Sequence, residues 1–312
     1  MVAPATRSQV LAAVEAVGFV PNRSARQLVS GRAGAIGVIV PDITNPYFGA
    51  ILRAIQARAR HGEHGDHGDH GEVGVLIADT GGDADEERRA IATLGRQVDG
   101  LVVITPLTDL ASAPVPVVQV NRQSRRAPSV VVDQAAIVDL AVEHLAALGH
   151  RQVAVVRGPA AYWSAGRRDQ AVERLRRDHC GDDLAIHAVG PTPGTFAAGR
   201  AAFAAARATG ATGFIAFNDL QAAGLLLAAH DAGLDVPGAL SIVGSDGLEL
   251  AAMTSPPLTT VAAPLDELGR VAYQRLGDLL AADASPSRTT LDPHLVVGAS
   301  TAAPPTELRK DL

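Results

Sequence analysis

A single cysteine in 312 residues leaves Cys180 without an internal disulfide partner and without the second thiol a zinc motif needs. A reducing, cytoplasmic setting is therefore expected. Aromatic residues are also scarce, at 3% of the chain, with one tryptophan, Trp163. No apolar run approaches a bilayer span: residues 225–229 are among the longest, against the ~20 residues that crossing requires. Arg7, Gln9 and Glu15 interrupt the first twenty residues, so no secretion-signal core is read there. Catalytic signatures are missing too. There is no nucleophile elbow, no Walker-type phosphate loop and no dinucleotide glycine fingerprint after the first strand. The sequence thus predicts a soluble binding protein that is not an enzyme and has no cofactor.

What is present favours a compact α/β protein. Hydrophobic residues make up 47% and charged residues 19%, which argues against disorder, and the length suits two domains, each with its own core. The net charge of −6 is unevenly placed. Residues 1–35 carry Arg7, Arg23, Arg26 and Arg32 against Glu15, a net of +3, which leaves −9 on the remainder. A basic arm on an acidic body suits contact with a phosphate backbone, although a solvated amphipathic helix would look the same by charge alone.

The hydrophobic periodicity divides the chain. Val10, Leu11, Val14 and Val17 recur at helical spacing after Thr6, and Gly18 stops that helix; Pro21 and Asn22 open a second, short helix over 23–29. Short β-branched runs then alternate with amphipathic stretches: strands at 36–40, 73–77, 101–104, 115–120 and 130–132, with helices at 48–60 and 85–97. A second series follows, with strands at 153–156, 184–189, 213–217 and 240–244 and helices at 137–148, 166–177, 195–208 and 220–232. Two Rossmann-like parallel sheets are predicted, each presenting its ligand face at the carboxyl ends of its strands, with a binding cleft between them.

One tract stands apart. HGEHGDHGDHGE, residues 61–72, spaces His61, His64, His67 and His70 three apart among carboxylates. Imidazole and carboxylate suit zinc or nickel, but glycine at nearly every third position denies a ligand cage its fixed backbone. We read it as an expanded surface loop without a functional metal.

Residues 20–32, VPNRSARQLVSGR, run into IGVIVPDITNPYF at 36–48. This junction resembles the hinge helix and first sensor strand of the lactose-repressor (LacI/GalR) family of transcriptional regulators, and the resemblance continues to the last strand. It implies a periplasmic-binding-protein-like sensor preceded by a helical DNA-binding headpiece, with a homodimer as the working form. The implied divisions are 1–35 for a residual headpiece helix and hinge helix, 36–132 plus about 264–286 for one sensor lobe, 133–263 plus about 288–303 for the other, and 304–312 for a tail. Three crossings between lobes are implied, near 132–134, 262–264 and 286–291. Leu28 matches the family leucine that wedges into the minor groove, in the pattern Ala25-Arg26-x-Leu28, with Arg23 and Arg26 placed for phosphates and Arg7 and Asn22 completing the expected DNA contacts. A linker helix with Leu28 packed on the next domain is the alternative.

Ligand contacts are expected from four strand ends. Tyr47 and Phe48 follow the first strand and can offer ring faces to a sugar or a base, Phe48 being also a candidate for the core. Arg167 matches the family arginine that grips ligand hydroxyls as a planar fork, Trp163 is placed on the same wall, and Arg168 is read as a solvent-facing partner for a carboxylate. Asn218 and Asp246 match the asparagine and aspartate that receive hydroxyls, while Asp219 is read as a helix N-cap and His150 as a surface position. Ala263-Pro264 stands where the family usually has glutamine before proline, removing one expected polar contact. The resemblance implies a repressor whose sensor closes on a small molecule, a sugar foremost. It also aligns Met1 with the connection before the third headpiece helix, so this chain by itself is expected to bind operator DNA without specificity. The rival reading is a sugar-binding sensor that does not act on DNA.

Overall fold

The computed structural model describes residues 4–16, 33–61, 73–179, 184–281 and 287–305. Asn22, Arg23, Ala25, Arg26 and Leu28 of the expected hinge helix, residues 62–72 of the histidine tract, and Cys180 lie outside the described residues. Helix α1 (Pro4–Ala16) occupies the place of the first expected helix, and Arg7 falls on it.

Two six-stranded sheets repeat one plan. In the first, β1 (Ala35–Val40), β2 (Gly74–Asp79), β3 (Gly100–Ile104), β4 (Val117–Val120), β5 (Ser129–Val132) and β11 (Arg288–Leu291) lie in the order β2-β1-β3-β4-β5-β11. In the second, β6 (Gln152–Val156), β7 (Ala185–Val189), β8 (Gly213–Ile215), β9 (Ser241–Asp246), β10 (Thr259–Ala262) and β12 (His294–Val296) lie in the order β7-β6-β8-β9-β10-β12. All pairings are parallel except β10 with β12. Helices cover both faces, which is why the central strands are continuous apolar runs buried at every residue, as in β3 and β4. The strand order reverses beside β1 in one lobe and beside β6 in the other, and α/β sheets bind ligands at such switch points.

Each lobe is held by close helix contacts that small residues permit. In the first, α2 (Pro46–His61) packs on α9 (Leu265–Leu280), which buries Leu268, Val271, Ala272, Tyr273 and Leu276. A β-carbon on Gly269 would stand 2.6 Å from Ile51 O, so only glycine fits that crossing. In the second, α6 (Phe196–Arg207) and α7 (Asp219–Asp231) cross through Gly199 and Gly224, each facing the other helix's backbone.

Two expectations need correction here. Residues 288–291 belong to the first sheet, because β11 pairs in register with β5, Arg288 with Ser129 through Leu291 with Val132. The third crossing therefore lies between Leu291 and His294, where Pro293 has no N–H to offer a ladder. The open edge of β5 takes the extra strand that the resemblance had implied for the second lobe.

His150 is the other correction, since it is completely buried. Its Nδ1 lies 2.8 Å from Thr212 Oγ1, and its Nε2 lies 3.0 Å from both Ser241 Oγ and Ala302 O. It fastens the C-terminal segment to β9, and burial pulls its basicity below the usual histidine value.

Replacing Gly224 with alanine tests the crossing of α6 and α7. Intrinsic propensity favours alanine in a helix by about 1 kcal/mol. The added methyl would overlap Phe196 O. Overpacking of this kind costs roughly 1–3 kcal/mol, so the urea midpoint of the Gly224→Ala variant is expected to fall; a midpoint at or above the parent's would disprove the close crossing.

Candidate ligand-binding site

A cavity of about 530 Å³ opens between the strand ends of the two lobes. The first lobe contributes Pro41, Asp42, Tyr47, Phe48, Thr105 and Asn121, and the second contributes Ser164, Arg168, Phe217, Asn218 and Asp246. Local sequence explains each placement. After β1, Asn45 Oδ1 accepts the Tyr47 N–H at 3.0 Å and Pro46 supplies the first helical residue, so α2 starts where the two rings face the cleft. Tyr47 and Phe48 meet edge to face with centroids 5.3 Å apart. Phe48 also belongs to the core, at 5% exposure, so wall and core packing coincide in it.

Among the described residues, three other than glycine have left-handed backbones: Thr105 at φ 53°, Asn121 at φ 57° and Asp246 at φ 110°. Each follows or ends a strand, and all three line the cavity. Such conformations cost roughly 1–3 kcal/mol each and cluster at functional sites, where surrounding structure enforces them. After β3, the Glu87 carboxylate accepts the Leu107 and Thr108 N–H groups at 2.8 Å, and Arg122 donates to Pro106 O and Thr108 O. Those bonds fix the loop that follows Thr105.

The charged centre is Arg168, on α5 (Trp163–Asp178). Its Nε donates to Gln134 Oε1 at 2.8 Å, and its Nη1 donates to Phe217 O at 2.5 Å and to Ser245 Oγ at 3.3 Å. The guanidinium also lies over the Phe217 ring, 4.6 Å from its centroid. Burial pulls the Arg168 pKa below its ordinary value, opposed by Asp246, Tyr47 and Asp219.

Asp246 is 7% exposed, and burial first, then the neighbouring Asp219, push its carboxyl well above the usual range, with Arg168 opposing. Tyr47 accepts a 2.6 Å bond from Asn121 Nδ2, and burial raises its phenol, as does the charge of Asp246. Asn121 Oδ1 is buried with no hydrogen-bond partner, an acceptor facing a wall built for polar groups. At the mouth, Tyr162 of the second lobe brings its hydroxyl within 4.0 Å of the place a β-carbon on Gly82 would take in the first. Burial raises Tyr162, with a contribution from Asp42.

Of the residues expected from sequence, Tyr47, Phe48, Asn218 and Asp246 line this cavity, and Trp163 and Arg167 do not. Arg167 is exposed, donates to Gln170 Oε1 at 2.6 Å and stacks 5.9 Å from the Trp163 centroid on the outer surface. Arg168 takes the inward place, contrary to the solvent-facing role expected for it. Ser164 lines the cavity with Arg168, four residues on and about 40° from it around the helix, whereas Arg167 lies about 100° from Arg168, on the other side of Ser164.

The cap at the start of α7 is also exchanged. Asn218 is the N-cap, accepting the Gln221 N–H at 2.8 Å while Nδ2 donates to Gly194 O at 2.8 Å. Only one N–H and part of its carbonyl remain for a ligand. Asp219, the first helical residue, is fully buried. Asn121 was missed by the sequence reading, although it directly follows the β4 strand that the reading had found.

Two α/β lobes, one parallel plan repeated, and a polar cleft at both switch points define a periplasmic-binding-protein-like sensor. Residues 142–301 match the family model described as a periplasmic binding protein-like domain. The chain is 34% identical, over 95% of its length and 86% of the relative's, to an uncharacterized HTH-type transcriptional regulator of Streptomyces limosus. It is 32% identical to the HTH-type transcriptional regulator MalR of Streptomyces coelicolor, over 98% of this chain and 91% of that one. Among solved structures, the Lac repressor dimer bound to operator and the anti-inducer ONPF superposes with a TM-score of 0.81 at 27% identity, covering 97% of this chain and 92% of that one. A LacI family regulator from Enterococcus faecium with bound ribose gives 0.74 at 25% identity, covering 86% and 99%. The protein belongs to the LacI family of transcriptional regulators. Among the described residues no helix is long and apolar enough to cross a membrane.

The buried acids predict a definite pH dependence. Asp219 is raised from 3.8 to about 6, burial being the main cause, and Asp246 is raised well above 3.8 for the same main cause. The folded form then holds protons that the unfolded chain has released, so these groups lower stability as pH rises from 3.8 through about 6 and beyond. Asp246→Asn removes the Asp246 share of that cost, so the melting-temperature gain of the variant over the parent should widen as pH rises above about 4. A gain that is flat or shrinks with rising pH would contradict the assignment.

Proposed function

We propose that this protein is a ligand-responsive DNA-binding regulator, acting in the cytoplasm as a homodimer and a repressor, whose cleft takes a neutral carbohydrate. The observation that carries the ligand class is the lining. One cation, Arg168, meets the carboxylates Asp42 and Asp246, among neutral amides and aromatic walls. A phosphorylated or carboxylated ligand would find its charge opposed, whereas a neutral polyol offers donors to Asp246 and Asn121 and acceptors to Arg168. Tyr47, Phe48 and Phe217 supply apolar faces for its C–H groups. The volume falls within the ~300–1,000 Å³ of small-molecule pockets. The ribose bound by the Enterococcus faecium relative, and the operator bound by the Lac repressor dimer, support the same reading for this chain.

Arg168 also supplies the route from ligand to lobe arrangement. Its bond to Gln134 Oε1 reaches the first crossing, directly after β5, while Gln134 Nε2 donates to Val132 O. A ligand that draws on Arg168 therefore acts on the segment about which the lobes turn. Such coupling requires the ligand to favour one lobe arrangement over the other. Residues 1–35, with Arg7, Asn22, Arg23, Ala25, Arg26 and Leu28, are assigned to DNA, the basic groups to phosphates and Leu28 to the minor groove.

Thermal shift with ribose, maltose and cellobiose, against their phosphates, tests the ligand class. A sugar at a hundred times its Kd stabilises the fold by about 2.7 kcal/mol. Binding should weaken at least tenfold in Arg168→Lys, because a lysine cannot reproduce the fork worth about 1.5–3 kcal/mol. In Arg167→Ala it should be unchanged. The opposite ranking, or a preference for sugar phosphates, would refute this reading.

A further inference from the structure

The cleft presents Asp246 from a backbone conformation that an aspartate does not adopt unaided, at φ 110° with Gly247 following at φ 71°. Something must hold that turn, and the group in place is Asp219. Its side chain is completely buried behind the cavity wall and does not line the cavity. Oδ2 accepts the Leu248 N–H at 2.7 Å, and Oδ1 accepts the Thr260 hydroxyl at 2.6 Å. The N–H groups of Gly247 and Ser245 also point at this carboxylate. One side chain thus gathers the donors on both sides of Asp246 and ties them to β10.

The neighbourhood is shaped for that purpose. A β-carbon on Gly244 would overlap Asp219 Oδ1, and one on Gly247 would overlap Ala262, so glycines flank the turn on both sides. Gly247 N also donates to Thr260 Oγ1 at 3.3 Å, and Ala263 N donates to Asp246 O at 3.1 Å. The same carboxylate that holds the turn therefore also reaches β10, the strand leading into the second crossing.

Resting on the reading of this cleft as the effector site, we propose that Asp219 is a positioning residue: it touches no ligand, and it fixes Asp246 in its left-handed, ligand-facing conformation through the 245–248 turn. An ionised carboxylate accepts from several donors at once, whereas the asparagine amide brings donors of its own to a ring of donors. The helix-capping function lies with Asn218, so changing Asp219 leaves the α7 cap in place.

Two measurements test the proposal. The first needs no ligand: crystal structures of unliganded Asp219→Asn and Asp219→Ala. Asp246 is expected to leave the left-handed region and turn away from the cavity; should Asp219→Ala not fold, Asp219→Asn decides alone. A turn unchanged in the folded variant overturns the proposal. The second is a double-mutant cycle, read by calorimetry with whichever of ribose, maltose and cellobiose the parent binds. Asp219→Asn alone should weaken binding at least tenfold, and in an Asp246→Asn background it should cost less than twofold more. Equal losses in both backgrounds would show that Asp219 acts independently of Asp246, which also overturns the proposal. If the parent binds none of the three sugars, the carbohydrate reading fails, and the crystal structures still decide the role of Asp219.

Discussion

A guanidinium taken out of water between two lobes is the constraint around which this structure is arranged. Arg168 loses its hydration and recovers part of it from Gln134, the Phe217 carbonyl, Ser245, the Phe217 ring and the field of Asp246. A cation withdrawn from water in this way costs stability unless its donors are met by the protein or by a ligand. The cleft is therefore a place where the protein gives up stability: its charges are half-satisfied by protein, and a ligand with paired hydroxyls completes them. The unpartnered Asn121 oxygen and the raised Asp246 carboxyl have the same cause.

Such a site persists only when the scaffold over-determines it. The fold does this by repeating one solution. Parallel sheets buried on both faces aim their carboxyl ends at each other, and the residues there take conformations the chain would otherwise avoid. Outside the cavity, carboxylates hold the strained loops: Glu87 behind Thr105, and Asp79, which accepts the Ile43 and Gly81 N–H groups beside Asp42. Two of the three crossings leave a sheet strand and pass directly beside a cavity residue, Gln134 after β5 and Ala263 beside Asp246. Recognition and lobe movement therefore share backbone.

The alternation of β-branched runs with amphipathic stretches made both lobes readable, because a doubly covered parallel sheet writes its strands as continuous apolar runs. The cleft was readable for the same reason, since ligand groups follow strand ends in this architecture. Single side chains were harder. Arg167 and Arg168 are adjacent in sequence but about 100° apart around α5, and both flank the face of Ser164, so the sequence does not show which of them turns inward. Asn218 and Asp219 both suit an N-cap, and sequence does not show that the Leu248 N–H and Thr260 hydroxyl wait for a buried acid. His150 looked polar and exposed, yet its partners Thr212, Ser241 and Ala302 come from positions remote in the chain. Strand β11 was placed in the wrong lobe because the resemblance set the third crossing at 286–291, and its own sequence, Arg-Thr-Thr-Leu, has no apolar alternation to show which sheet edge it joins.

The most direct test of this account is a crystal structure of the protein with the carbohydrate that most raises its melting temperature. The account predicts the sugar between the lobes, with oxygens ~2.7–3.2 Å from Arg168, Asp246 and Asn121 and a C–H face against Tyr47 or Phe217. A sugar bound instead on the outer surface beside Trp163 and Arg167, or one reaching only a single lobe, would contradict it.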